Sequence, residues 1–191
     1  MSPTTIAGYR KNARVSYDGL KQIRVKSLTL QNVQKWVSMR VATASGKTIR
    51  NELSMLSSAL KMAGVRLDTS SLKIPKQTRK EIQIPSENDV RQMLADSEGE
   101  FRVALMLGAY CGLRRAEICA LRWADCLPTS IHVRQAMVRG NDGGYAIKGT
   151  KTGAGTRVVP ISGQIYTALQ AVRDQDDKVI HLTPDAITRR F

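Results

Sequence analysis

Ala109-Tyr110-Cys111-Gly112-Leu113-Arg114-Arg115-Ala116-Glu117-Ile118-Cys119-Ala120-Leu121-Arg122-Trp123 is the stretch on which the reading of the other residues depends. It closes one apolar run, turns at Gly112-Leu113 and sets two arginines at the head of a second apolar run. A guanidinium turned into such a frame needs an anion, because an unpaired buried charge is very costly. Glu117 is one source, and a ligand phosphate is the other. The expectation is that both act: Glu117 holds Arg114, and Arg114 faces a ligand phosphate. The bland alternative is a closed Arg114–Glu117 ion pair with no ligand. Arg115 reads as a surface charge.

Upstream, Phe101 to Ala109 is almost wholly apolar and predicts a buried helix that delivers Gly112 and the arginines. Before it, Ser86 is a cap with Glu87 and Asp89 in the first turn, and Val90, Met93 and Leu94 face inward. Residues 67–85 read as an extended basic linker, with Pro75, Lys76, Arg79, Lys80 and Pro85. Residues 1–66 read as a helical bundle. A first helix runs from Ser2-Pro3 to Gly19 with Ile6, Tyr9, Ala13 and Tyr17 on one face. A second, capped by Thr29, carries Val33, Trp36, Val37 and Val41. A third, from Lys47 to Ala63, carries Ile49, Leu53, Leu56, Leu60 and Met62.

Downstream of Trp123 the apolar period becomes two. Ile131, Val133, Gln135 and Met137 mark one strand, Tyr145–Lys148 a second and Thr156–Ile161 a third. Gly140-Asn141-Asp142-Gly143-Gly144 is the first turn, and Lys151-Thr152-Gly153-Ala154-Gly155 the second. Ser162 caps a helix with Ile165, Leu169 and Val172 on one face, and Thr183-Pro184-Asp185 opens another. The fold class is therefore mixed and mainly α: a helical bundle at 1–66, a linker at 67–85, and an α+β domain at 86–191 with a three-stranded antiparallel sheet.

The net charge is +14 and lopsided. Residues 1–85 hold 16 Lys and Arg against 4 Asp and Glu, and the remainder hold 14 against 12. A polyanion gripped mostly by the first part fits this asymmetry better than a basic surface kept for solubility. The candidate DNA-contacting residues are Arg10, Lys11, Arg14, Lys47, Thr48, Arg50, Lys76, Arg79 and Lys80. Gly46-Lys47-Thr48 adds the free N–H groups of a helix start. Cys111, Cys119 and Cys126 form no Cys-x-x-Cys pair and have no histidine at ligand spacing, which points to reduced thiols and a cytoplasmic setting. No run suits a membrane span, no carboxylate pocket suits magnesium and no Walker-type loop is present. No metal and no cofactor is expected.

Arg114 and Lys151 together suggest a chemistry. Arginine grips a phosphate with paired hydrogen bonds and stays charged, whereas lysine can give up its proton. On one phosphodiester, the arginine would stabilise charge on nonbridging oxygens and the lysine would protonate the leaving oxygen. Such stabilisation is worth on the order of 3 kcal/mol per donor. Lys148 is the competitor for the acid role, and Lys151 is preferred because Thr152-Gly153 follows it.

At these residues the chain resembles the tyrosine recombinase (phage integrase) family. Gly112-Leu113-Arg114-Arg115-Ala116-Glu117, Leu121-Arg122-Trp123-Ala124-Asp125, and Lys151-Thr152-Gly153 before Thr156-Arg157-Val158-Val159-Pro160-Ile161 carry the resemblance. So does the order of a basic helical bundle, a linker and this domain. The resemblance implies that Arg114 contacts the scissile phosphate, that Lys151 is the general acid on a β-hairpin, and that Glu117 is structural support. It makes residues 1–66 similar to a core-binding domain and double-stranded DNA at a core recombination site the partner, with recombinase protomers assembling on that DNA. The setting would be a bacterial or phage-encoded mobile element. The family's later motifs, His-x-x-Arg and a nucleophilic tyrosine, are not found. The chain is thus expected to be a recombinase fragment, truncated before those motifs, that binds core-site DNA without forming a phosphotyrosine bond. A non-catalytic DNA-binding regulator or architectural protein is the alternative, and a type IB topoisomerase relative ranks third.

Overall fold

The computed structural model describes residues 3–76, 83–140, 143–149 and 155–191. Arg79, Lys80 and Lys151 lie outside the described residues, as do Thr152 and Gly153. The chain divides into two compact units, Met1–Ile82 and Gln83–Phe191.

The first unit holds α1 (Pro3–Val15), a 3-10 turn at Val25–Ser27, α2 (Leu30–Val41) and α3 (Gly46–Met62). Thr29 and Asn32 cap α2 reciprocally, which satisfies two orphan donors of the first turn. The spacing of Val33, Trp36 and Val37 puts all three in the core beside Ile49, Leu53 and Leu60. The margins of this unit depart from the expected stripes. Val41 and Met62, each the final residue of its helix, face solvent, Met62 at 91% exposure. The helix Pro3–Val15 stops short of Tyr17, and Tyr9 is exposed, so the apolar stripe there is mostly solvated. Val65, and Leu67, Leu72 and Ile74 at the start of the stretch expected as the 67–85 linker, pack against this core.

A polar network that periodicity does not reveal ties the unit together. Glu52 is buried and receives Arg40 through Nε at 3.0 Å and Nη2 at 2.6 Å. Ser16 Oγ donates to the same carboxylate at 2.8 Å, Tyr17 donates to the Glu52 carbonyl, and Trp36 Nε1 donates to the Ser16 carbonyl at 2.7 Å. Burial and the facing Glu52 charge push the Tyr17 phenol up to about 12.

The second unit runs α4 (Glu87–Ala95), α5 (Gly99–Cys111), α6 (Arg115–Ile118), β1 (Cys126–Leu127), β2 (Ser130–Val133), β3 (Gln135–Arg139), β4 (Tyr145–Gly149), β5 (Arg157–Pro160), α7 (Gly163–Ala171) and α8 (Pro184–Arg190). A three-stranded antiparallel sheet is present, in the order β1-β2-β5. Its membership differs from the expected run of successive strands. The anticipated strand through 130–137 breaks at Arg134, whose guanidinium reaches back to the buried Asp125 carboxylate. That break sends β2 to pair with β5, with Ile131 opposite Val159, while β3 forms a separate hairpin with β4. Leu107 of α5, Ile131 of β2 and Leu169 of α7 meet in the core of this unit. No helix of the described residues is long and apolar enough to cross a membrane.

Candidate phosphate-binding site

Helix α5 is apolar nearly all round and buries Val103, Ala104 and Leu107. It ends at Gly112, whose φ of 63° is left-handed and thus suited to glycine. The Leu113 N–H returns to the Leu107 carbonyl at 3.2 Å, and Leu113 is buried, so the turn is anchored on both sides of the glycine. Arg114 follows in extended conformation as the N-cap residue of the short α6.

Glu117 closes this turn from the other side. It is only 4% exposed, and its carboxylate accepts four hydrogen bonds, the full capacity of the group. Oε2 takes the Arg114 backbone N–H at 2.8 Å and Arg157 Nη2 at 2.8 Å. Oε1 takes Arg114 Nη1 at 2.8 Å and Arg157 Nη1 at 3.0 Å. Arg157 Nη2 also reaches the Gly112 carbonyl at 3.4 Å. Burial alone would push the Glu117 carboxyl up. The bonds from Arg157 and Arg114 outweigh it and hold the group down at about 2. The same pairing raises the Arg157 guanidinium.

The geometry corrects one expectation. Arg114 does not turn into the apolar frame: its side chain is 74% exposed, and the buried member of the pair is Glu117. The N-cap position explains this, since an extended residue ahead of α6 points its side chain outward. One Nη1 bond steers the guanidinium, and among the described residues no other partner takes Nη2 or Nε. One carboxylate faces two guanidiniums, so the trio carries one surplus positive charge, and Arg114 presents it to solvent. This arrangement suits an oxyanion such as a phosphate. Arg115 is placed elsewhere, with its guanidinium on the Thr188 hydroxyl.

Arg157 is the site residue that sequence reasoning missed. It begins β5, in the stretch quoted for the resemblance, but only as part of a strand. The signal that could have found it is hydrogen-bond capacity, since a buried carboxylate accepts four bonds and Arg114 supplies only two. Lys148 sits on β4 opposite Ala136 and is exposed. In the first unit Arg10, Lys11 and Arg14 are exposed along α1, and Lys47, Thr48, Arg50 and Lys76 are exposed in the stretches at the start of α3 and after Pro75. Of the backbone donors expected from Gly46-Lys47-Thr48, one is already used. The Thr48 N–H is taken by the capping Ser45 Oγ at 3.2 Å. A Cβ on Gly46 would lie 2.3 Å from the Pro75 carbonyl, so that face is covered. Arg50 also donates to this carbonyl at 3.1 Å.

No protein-family model and no curated relative matches the chain. Solved structures do. The Tn1549 transposon integrase in complex with transposon right end DNA superposes with a TM-score of 0.74 at 22% identity, over 90% of this chain and 59% of that one. A lambda integrase tetramer bound to a Holliday junction gives 0.73 at 14% identity, over 99% and 58%. A lambda integrase dimer bound to a COC' core site gives 0.70 at 15%, over 100% and 70%. The fold is that of the tyrosine recombinase integrases, in keeping with the resemblance in sequence. The chain spans about three fifths of the length of the Tn1549 integrase chain it matches.

Proposed function

We propose that the chain is the DNA-gripping part of a site-specific recombinase, acting at a core recombination site on double-stranded DNA. The observation that carries this reading is Arg114: a half-free guanidinium, fixed by a buried and saturated carboxylate, on a fold otherwise seen gripping DNA. In this reading residues 1–66 are the core-binding domain, 67–85 the linker and 86–191 the first part of the catalytic domain. Arg10, Lys11, Arg14, Lys47, Thr48, Arg50, Lys76, Arg79 and Lys80 contact the DNA backbone. Arg114 neutralises the nonbridging oxygens of the scissile phosphate, Lys151 protonates the leaving 5′ oxygen, and Glu117 holds Arg114 in place. None of the five tyrosines is assigned as the nucleophile; Tyr17, for one, is buried on the Glu52 carbonyl. The 191 residues taken alone therefore bind DNA without forming a phosphotyrosine bond. In a longer protein, protomers would assemble on that DNA, in the cytoplasm of a bacterium and in the service of a mobile element.

The test pairs binding with cleavage. A labelled duplex should bind with a steep salt dependence, and Arg114→Ala should lower the slope of log affinity against log salt by about 0.9, the value of one lost phosphate contact. A nicked suicide duplex should give no covalent adduct. An adduct from these residues would refute the assignment of the tyrosines, and an Arg114→Ala slope equal to the parent's would refute the site.

A further inference from the structure

We infer that Arg157 is a positioning residue for Arg114, acting through Glu117 and the Gly112 carbonyl to fix the direction in which the phosphate-binding guanidinium points. The inference rests on the reading of Arg114 given above.

Arg157 grips Glu117 by the fork-on-fork geometry that gives an arginine–carboxylate pair its directional stiffness, with bonds of 3.0 and 2.8 Å. The remaining contact, Nη2 to Gly112 at 3.4 Å, falls on the turn that launches Arg114. One side chain therefore touches both ends of the segment Gly112–Glu117. Arg114 has a single side-chain bond of its own, from Nη1 to the Glu117 oxygen that also receives Arg157 Nη1. Without Arg157 that carboxylate keeps only the two bonds from Arg114 itself, its backbone N–H and its Nη1, and no contact from outside the turn fixes its direction. Arg157 is itself only 30% exposed, and both its Nη atoms are committed, so it is poorly placed to contact a phosphate directly. It opens β5 and lies six residues after Lys151 in the sequence. Lysine is a poor substitute, because its compact ammonium lacks the planar fork that meets both carboxylate oxygens in parallel.

The experiment is a double-mutant cycle on the full chain, read as affinity and salt slope for a fluorescein-labelled mixed-sequence duplex at a temperature where every variant is folded. Near 0.1 M salt, Arg114→Ala should weaken binding about fivefold and lower the slope by about 0.9, and Arg157→Lys should weaken it about threefold. The double variant should bind like Arg114→Ala alone, since a residue that acts by positioning has nothing left to position. Arg157→Met with Glu117→Gln removes both charges together, leaves no stranded carboxylate and should reproduce the Arg114→Ala loss. This pair decides the matter if Arg157→Lys does not fold. Unchanged affinity in Arg157→Lys, with only its stability lowered, would overturn the inference in favour of a purely architectural role. Losses that add in the double variant would overturn it in favour of direct contact. An Arg114→Ala variant that binds like the parent would overturn the functional reading itself, and this inference with it.

Discussion

Removing the charge of Glu117 should abolish a defined part of the acid sensitivity of the second unit. Glu117 is held at about 2 in the folded chain against an ordinary 4.5. At 1.36 kcal/mol per pKa unit, its ionised form contributes about 3 kcal/mol. The group binds a proton more readily unfolded than folded. Its contribution is therefore complete above about pH 4.5 and is lost as the pH falls from there towards 2. Glu117→Gln keeps the shape but sets an amide against four donors that one carboxylate satisfied. Relative to the parent it should lose about 3 kcal/mol near neutral pH, and the difference should close as the pH approaches 2. Urea unfolding followed by far-UV dichroism, at several values between neutral and pH 3, measures both curves. The other carboxylates lowered by hydrogen bonds, Asp68, Asp89 and Asp176, are common to the two proteins and cancel in the difference. Parallel curves separated by a constant offset would refute the assignment of this acid sensitivity to the clasp.

Four further outcomes test the surrounding structure. Gly112→Ala forces an L-residue to the φ of 63° and should cost about 1–2 kcal/mol in urea unfolding while weakening duplex binding, because the turn sets Arg114. His181 is raised, first by its bond to Glu100 at 2.6 Å and then by Asp176 at 3.0 Å, so its stabilisation is present below its ordinary value of 6.5 and fades as the pH rises through the raised one. An NMR titration of the ring should show that upward displacement, and His181→Gln should remove the matching slope from the melting temperature. Burial pushes the Cys119 and Cys126 thiols up to about 11 and 12, so iodoacetamide near neutral pH should leave both unmodified until the chain unfolds, as mass spectrometry of the peptides can check.

The helices were legible because their signals are local. Caps such as Thr29, Ser86 and Thr183 are read from one residue and its third neighbour, and the observed caps fall on them. The turn at Gly112 was legible for the same reason. Sheet membership was not, because an alternating pattern does not show where the run breaks or which strand it pairs with. Arg134 leaves an alternating run to pair with Asp125, and the strand divides between two sheets. The site was half legible. Spacing joined Arg114 to Glu117, since three residues on a helical turn are neighbours, but it gave the wrong member of the pair to the interior. Arg157 stands forty residues from Glu117, and no period links them.

The two units offer an internal comparison that separates a functional arginine from an architectural one. In each, a nearly inaccessible glutamate is gripped by the two-pronged fork of an arginine: Glu52 by Arg40, and Glu117 by Arg157. The first pair is neutral as a whole, and the third bond to its carboxylate comes from the neutral Ser16 hydroxyl. Nothing there is left to attract an anion. The second carries another guanidinium on the same carboxylate, so the charges sum to one positive, and that charge lies on the member 74% exposed to solvent. Stability does not require this addition, because Arg157 alone already neutralises the buried carboxylate. A phosphate site does require it: a positive group held stiffly at the surface, with its counter-charge buried behind it and spent on another arginine. Arg40→Lys should consequently lower the unfolding free energy by about 1–3 kcal/mol, since it loses one arm of a charge-assisted pair, and leave the salt slope of duplex binding unchanged. If Arg40→Lys and Arg114→Ala moved that slope alike, surplus charge would not be what distinguishes the two clasps.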